Sequence, residues 1–281
     1  MKMTADQFLR WDAKCITLLG MSGVGKTHLS SRLRLANWFH YSADYRIGTR
    51  YLNEPILDNI KQQAVQVPFL HELLRSDAIY ISNNITVDNL AAVLSFLGKL
   101  GGSAQAGLPL AEFKRRQQLY RDAEVAAMLD LPEFITKSHE IYGYQHFIND
   151  SAGSLCELDE PRVLEILAQH SLIVYLEATA DNGLELVRRA EADPKPLYYP
   201  PAFLDQQLAY FMLERGLSEV GAIQPDDFVV WMFPRLFAAR VPRYERIARE
   251  YGYTLPAERL AQVHTEADFI RCIQQVLAGA G

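Results

Sequence analysis

The chain has 281 residues, a formal net charge of −6, 49% apolar side chains and 22% charged ones. That balance excludes a disordered or low-complexity protein and is enough to bury one large core or two modest ones. The acidic excess argues against a dedicated nucleic-acid binder, which carries a basic field, but leaves room for a local basic pocket.

Cys15, Cys156 and Cys272 are widely spaced, with no CxxC pair, and the seven histidines form no HExxH. Neither a disulfide framework nor a zinc site is expected, and a reducing, cytoplasmic setting fits. The N-terminus MKMTADQFLRWDAK has no apolar stretch of the signal-peptide kind. No run approaches the roughly 20 apolar residues that cross a bilayer.

In chain order, residues 4–12 predict a short helix with Thr4 as N-cap. Cys15 to Leu19 predicts a buried strand, Lys26 to Leu35 a helix and Trp38 to Ser42 a second strand. Leu, Ala, Gln and Glu at helical spacing then predict helices near 53–65, 87–99, 109–129 and 131–141, with a weak strand at 78–81 and a loop at 99–107. His146 to Asn149 reads as a strand. A helix at 160–170 follows, with Asp159 as N-cap and Pro161 as its first residue. Leu172 to Leu176 is a buried strand. Helices near 181–192, 201–215, 226–240 and 242–251, a strand near Thr254 and a helix at 265–278 complete the chain. Strands separated by helices predict a mainly parallel sheet in a three-layer α/β sandwich. Residues 1–52 and 143–281 read as its core, and 53–142 as a helical insertion on the ligand side.

The strongest motif is Gly20-Met-Ser-Gly-Val-Gly25-Lys26-Thr27, a match to GxxxxGK[ST] between a strand and a helix. Gly20, Gly23 and Gly25 allow a turn whose N–H groups curl around an anion, and the helix N-terminus adds further donors. Lys26 can reach between terminal phosphates, and Thr27 offers a hydroxyl to magnesium. Ser22, Val24 and the adjacent His28 go with the loop on the nucleotide side, packing being the competing reading for His28. Three classes follow: a small-molecule kinase, an ATPase or switch coupled to motion, and a binding module without turnover. With no NKxD-type guanine motif, ATP is favoured over GTP.

Asp44 follows the second strand, on the ligand edge of an open parallel sheet. It can support magnesium or accept a substrate hydroxyl's proton, with capping of the next helix as the alternative. Arg46 and Arg50 face an anionic substrate or water. Asp150 and Glu177 each end a strand and read as a magnesium-side acid or a local cap. Trp38, Phe39, Tyr41 and Tyr45 read as core, with stacking on a substrate ring as the alternative. The sequence does not decide the placement of Tyr198 and Tyr199. The runs Lys114-Arg115-Arg116 and Arg243, Arg246 and Arg249 read as solvated faces.

Leu172-Ile-Val-Tyr-Leu-Glu177, the arginines ahead of Lys195-Pro-Leu and Arg240-Val-Pro-Arg-Tyr244-Glu-Arg-Ile-Ala248 resemble motifs of the shikimate kinase group of P-loop phosphotransferases. The resemblance covers roughly 12–50 and 144–278. It implies phosphoryl transfer from ATP with magnesium to a hydroxyl. Asp44 would contact the substrate and support magnesium, and Gly153 would lie in the turn under the substrate. Arg188, Arg189 and Lys195 would belong to a lid over the phosphates, and Arg240 would be the substrate-facing arginine. Ser42 replaces the first acid of the family's D-x-D pair, and only the central glycine of its triple-glycine turn is kept. With residues 53–142 added, the implied acceptor is a small molecule bulkier than shikimate, nucleotide-like or sugar-like, rather than shikimate itself. The alternative is a P-loop ATPase or nucleotide-gated regulator with a protein partner on the insertion.

Overall fold

A computed structural model describes residues 1–279, except the side chains at positions 105 and 180–182. Five strands, β1 (Cys15–Leu19), β2 (Trp38–Ser42), β3 (His146–Asp150), β4 (Leu172–Glu177) and β5 (Gly252–Pro256), form one sheet in the order β2-β3-β1-β4-β5. Every neighbouring pair is parallel. The sequence predicts these strands to within a residue or two; β1, β3 and β4 are short runs buried on both faces, while β2 and β5, at the sheet edges, are only partly buried. Residues 78–81 form no strand.

Alternation along the strands sends side chains into two layers. Ile16, Leu18, Trp38, Ile148, Val174 and Leu255 pack with α1 (Ala5–Arg10), α2 (Lys26–Arg34) and the C-terminal helix. Cys15, Leu19, Tyr41, Phe147, Ile173 and Tyr175 point the other way. There they meet α3 (Ala43–Arg46), α4 (Asn53–Ala64), α6 (Ala91–Leu97), α7 (Leu110–Leu129), α8 (Leu131–Glu140) and α9 (Pro161–His170). Between α4 and α6, α5 (Pro68–Arg75) buries none of its residues. Three later helices, α10 (Ala180–Ala192), α11 (Pro201–Arg215) and α12 (Pro225–Tyr251), precede β5, and α13 (Glu266–Ala278) ends the chain. The result is a P-loop three-layer α/β sandwich in which helices α4 to α8 separate β2 from β3. Val93, Phe96, Tyr120 and Met128 of that segment share one core with Leu19 and Phe147 of the sheet. No helix among the described residues is long and apolar enough to cross a membrane.

Local expectations fail where tertiary contacts override them. Helices predicted at 226–240 and 242–251 are one helix, α12, which runs through Pro234 and Pro242. Each proline removes a hydrogen bond, but Phe228, Met232, Leu236, Arg240, Tyr244 and Ile247 are buried along its length and hold it continuous. Glu160, not Asp159, is the residue at the N-cap position of α9, and Asp159 takes a left-handed backbone with φ of 49°. Thr4 caps α1 through a full capping box, as its Thr-x-x-Gln spacing predicts.

Candidate nucleotide and acceptor site

β1 lies in the middle of the sheet, with β3 on one side and β4 on the other, so its C-terminal end faces the crevice where open α/β sheets bind ligands. The Gly20–Gly25 turn fills that position. Gly23 and Gly25 have φ of 86° and 106°, in the region that side chains disfavour, and a Cβ on Gly20 would stand 2.8 Å from the Leu176 carbonyl oxygen. Gly25 occupies the N-cap position of α2 without a side-chain cap, which leaves the first-turn N–H groups for an anion. Lys26 folds back, its Nζ donating to the carbonyls of Gly20 at 2.7 Å and Met21 at 3.0 Å. Burial lowers its pKa, while nearby Asp150 and Asp44 oppose that shift. Ser22 and Thr27 are exposed.

Ser42 of β2 is registered opposite Asp150 of β3, and Leu18 of β1 pairs with the same Asp150. Three strand ends therefore bring an acidic pair to the loop. The N-cap of α3 is Ser42, whose hydroxyl accepts from the Tyr45 N–H, and not Asp44. Asp44 is thereby released from capping, and its Oδ1 accepts from the Tyr120 hydroxyl at 2.9 Å. Burial, and then the neighbouring Asp150, raise the Asp44 pKa against the opposing pull of Tyr120 and Lys26. Asp150 itself is buried and meets His40 Nε2 at 3.3 Å.

Arg240 of α12 is 1% exposed. Its Nε donates to Glu157 Oε2 at 2.8 Å, and its Nη2 donates to the same oxygen at 2.7 Å and to the Tyr198 carbonyl at 3.0 Å. Burial opposes its charge, but Glu157, Tyr244 and Cys156 outweigh it and raise the guanidinium pKa. Gly153 lies where the turn after β3 passes under the loop. A Cβ there would stand 3.0 Å from the Ser22 nitrogen and 3.6 Å from Arg240 Nη1, and the Tyr244 hydroxyl donates to its carbonyl.

Two cavities adjoin at the loop. The smaller, about 80 Å³, is lined by Ser22, Asp44, Gly153 and Arg240, with Tyr120 and Ser154. The larger, about 420 Å³, runs from Ser22 and Gly23 to Arg189 of α10, Lys195 and Phe233. Ser22 and Leu197 belong to both. The structure therefore gathers Ser22, Asp44, Gly153 and Arg240 at one point and sets Arg189 and Lys195 along the adjoining space. Arg189 is otherwise paired with Glu185, and Lys195 with Asp193, both at the surface. Val24 is half-buried in the loop. His28 and Arg188 are exposed and line neither cavity, and His28 meets Arg32 instead.

Other sequence expectations resolve as packing. Arg46 pairs with Asp130 and lies over the Phe134 ring, while Arg50 is exposed. Trp38 and Tyr41 are core, Phe39 stacks on Phe147, and Tyr198 and Tyr199 are buried, but Tyr45, expected in the core, is 40% exposed, because it lies on the outer side of the short helix α3. Arg116 departs from the expected solvated face. It is 7% exposed and donates to Glu112, the Phe96 carbonyl and Asn59.

Sequence reasoning missed Tyr120, Glu124, Ser154 and Glu157. Glu124 is fully buried on α7. Its Oε2 accepts from the Ser154 hydroxyl, and its Oε1 has no partner. The available signal was a carboxylate in the inward stripe Phe113, Gln117, Tyr120, Glu124, Ala127. Burial, against the Ser154 hydrogen bond, pushes its pKa up to about 8. The folded state therefore holds a proton that the unfolded chain has released above its ordinary value of 4.5. Stability should fall between about pH 5 and pH 8, by on the order of 1 kcal/mol per pH unit. Glu124→Gln should remove that part of the slope in urea unfolding followed across this range; an unchanged slope would place the charge on other groups.

No protein-family model and no curated protein matches the sequence. Among solved structures, the chain is similar to the shikimate kinase of Bacteroides thetaiotaomicron at 15% identity, with a TM-score of 0.41, covering 93% of this chain and 95% of that one. It is also similar to the shikimate kinase of Acinetobacter baumannii, solved in complex with shikimate, at 15% identity and a TM-score of 0.39, covering 98% of each chain. These proteins belong to the group that the sequence motifs resemble. At such identity and TM-score the fold assignment rests on the strand order and the loop of this chain itself.

Proposed function

We propose that the chain is an ATP- and magnesium-dependent phosphotransferase acting on a hydroxyl of a small molecule. The observation that carries this reading is the pair of cavities meeting at Ser22, one lined by Gly23, Arg189 and Lys195 and the other by Asp44 and Arg240. Residues 1–52 and 143–281 serve as the nucleotide-handling core, and 53–142 as the acceptor-side segment. ATP with magnesium would supply the phosphoryl group and much of the charge neutralisation.

The residues fit those groups. The left-handed glycines, the uncapped α2 N-terminus and Lys26 suit a polyphosphate, and the hydroxyl of the exposed Thr27 with the Asp44 carboxylate suits magnesium. No three His, Cys, Asp or Glu side chains among the described residues are arranged to hold a metal by themselves. Magnesium bound with substrate phosphates needs only one or two protein ligands.

Within this reading Lys26 exchanges its loop carbonyls for phosphate oxygens. Asp44, fixed by Tyr120, orients the acceptor hydroxyl and takes its proton. Gly153 gives the acceptor close access to the loop. Arg189 and Lys195 close the phosphate side, and the 196–198 stretch shields the small cavity from water. The three free, buried cysteines suit a reducing, cytoplasmic setting.

Asp44→Asn is the direct test. Phosphoryl transfer should fall by roughly 10²–10⁴-fold, with nucleotide affinity nearly unchanged, as read by acceptor-dependent ADP release beside nucleotide titration. Undiminished transfer would leave Asp44 with only its bond to Tyr120. One observation favours a second reading, a nucleotide-gated regulator with a protein partner: α5 buries nothing, and Phe69 is 73% exposed. Lys26-dependent ATP hydrolysis indifferent to small acceptors would favour it.

A further inference from the structure

The small cavity is chemically two-sided. Leu90, Val93, Leu94 and Leu97, from α6 and the turn before it, form one wall with Pro196 and Leu197. Ser22, Asp44, Tyr120, Ser154 and Arg240 form the other. Among the described residues Arg240 is the one Lys, Arg or His side chain on these walls, and Asp44 the one acid. Arg240 is already neutralised. Two of its nitrogens are committed to Glu157, which is as deeply buried, and Nη1 is the one turned toward Gly153. Behind Ser154, Glu124 is fully buried with its Oε2 accepting from the Ser154 hydroxyl, and burial pushes its pKa up to about 8. Lys26 is held by the loop carbonyls.

We propose that this cavity takes an uncharged alcohol with a hydrocarbon body, its hydroxyl at Asp44 and one of its oxygens within reach of a single Arg240 donor. The proposal rests on the phosphotransferase reading for the fate of that hydroxyl, but the cavity's selectivity is separable from it. A carboxylate or phosphate on the acceptor would meet Asp44 and find, among the side chains lining the cavity, no cation without a carboxylate partner, and an unpaired buried charge is prohibitive. An ammonium would occupy the Asp44 carboxylate that must orient the hydroxyl. A polyol would press hydroxyls without partners against the leucines of α6, and unpaired buried polar groups discriminate strongly. Helices 53–142 thus contribute an apolar wall rather than added room, which turns the expectation away from a nucleotide-like or sugar-like acceptor.

The test uses four probes of similar length, short enough for a cavity of about 80 Å³: 1-propanol, 3-hydroxypropanoate, 3-aminopropanol and glycerol. Binding to the full chain with Mg-ADP is measured by calorimetry, and phosphate-ester formation from Mg-ATP by phosphorus NMR. The alcohol should bind at least roughly tenfold more tightly than each of the other three. Preference for any of the others, or no binding by the alcohol, overturns the proposal. Alcohol binding without ester formation retains the cavity's chemistry and overturns the phosphotransferase reading instead. Two variants tie the preference to this cavity. Leu94→Arg adds an unpaired cation and Glu157→Gln releases the charge of Arg240, so each should shift the ratio toward the carboxylate by roughly tenfold or more. A folded variant of either kind that keeps the original preference overturns the assignment.

Discussion

Lys26→Ala should lower Mg-ATP turnover by roughly 10²–10³-fold or more, the loss that follows removal of one preorganised donor from a developing charge. The chain should fold as before. Lys26 is 6% exposed, and its ammonium is held by carbonyls of the loop rather than by a carboxylate. Burial lowers its pKa, so the folded state already disfavours the charge that function requires. Removing a group held under that penalty should leave stability equal or slightly higher, the pattern of a residue kept for function at a cost in stability. The checks are turnover with saturating acceptor and urea unfolding of the same preparation. Turnover near the original level would remove the phosphate-binding role from Gly20–Thr27. Loss of turnover together with loss of fold would make Lys26 a structural residue.

Glu157→Ala should be the most destabilising single change in the site, by roughly 3–5 kcal/mol. The Arg240–Glu157 pair is 2% and 1% exposed at its side chains and joins α12 to the turn after β3. Truncating the acid strands a guanidinium that no water can solvate, and burial already works against its charge. The melting temperature should drop by on the order of 10 °C. A second change, Arg240→Met, should recover part of that stability, because it removes the stranded buried charge although the space left by Glu157 stays unfilled. It should not recover acceptor-dependent transfer if Arg240 donates to the acceptor. A loss below about 1 kcal/mol for Glu157→Ala would mean that water reaches the pair, contrary to its burial. Transfer at the original rate in the double variant would reduce Arg240 to a packing residue.

These two residues differ in how they could be found. Lys26 stands in a contiguous motif whose spacing is itself the geometry, since a strand, a glycine turn and a helix start must follow one another for the loop to form. Arg240 was visible only through the resemblance of its segment, and its partner Glu157 was not visible at all. They are 83 residues apart in the chain and meet because α12 crosses the C-terminal edge of the sheet. Glu124 and Tyr120 were hidden for a related reason. A helix as long as α7 carries polar residues on every face, and only packing against the turn after β3 shows which of them point inward.

Local chemistry was enough for the strands and most of the helices. Runs such as Ile173 to Leu176, short, apolar on both faces and rich in β-branched and aromatic residues, fit central parallel strands, and Thr4 and Thr265 mark helix starts through hydrogen bonds within four residues. Tertiary contact decided the rest. It carried α12 through two prolines, because burial along one side outweighs two missing hydrogen bonds. It took Ser42, expected at an acid's position, for a helix cap and so freed Asp44 for the cavity. It also brought the apolar residues of α6 and Asp44 onto one cavity and neutralised Arg240 with Glu157. The sequence by itself determined the sheet and the Gly20–Thr27 loop, because backbone propensity and residue spacing are local. The polarity and charge of the cavity at Asp44 and Arg240 were decided by the tertiary structure, because they are sums over side chains that only the folded chain brings together.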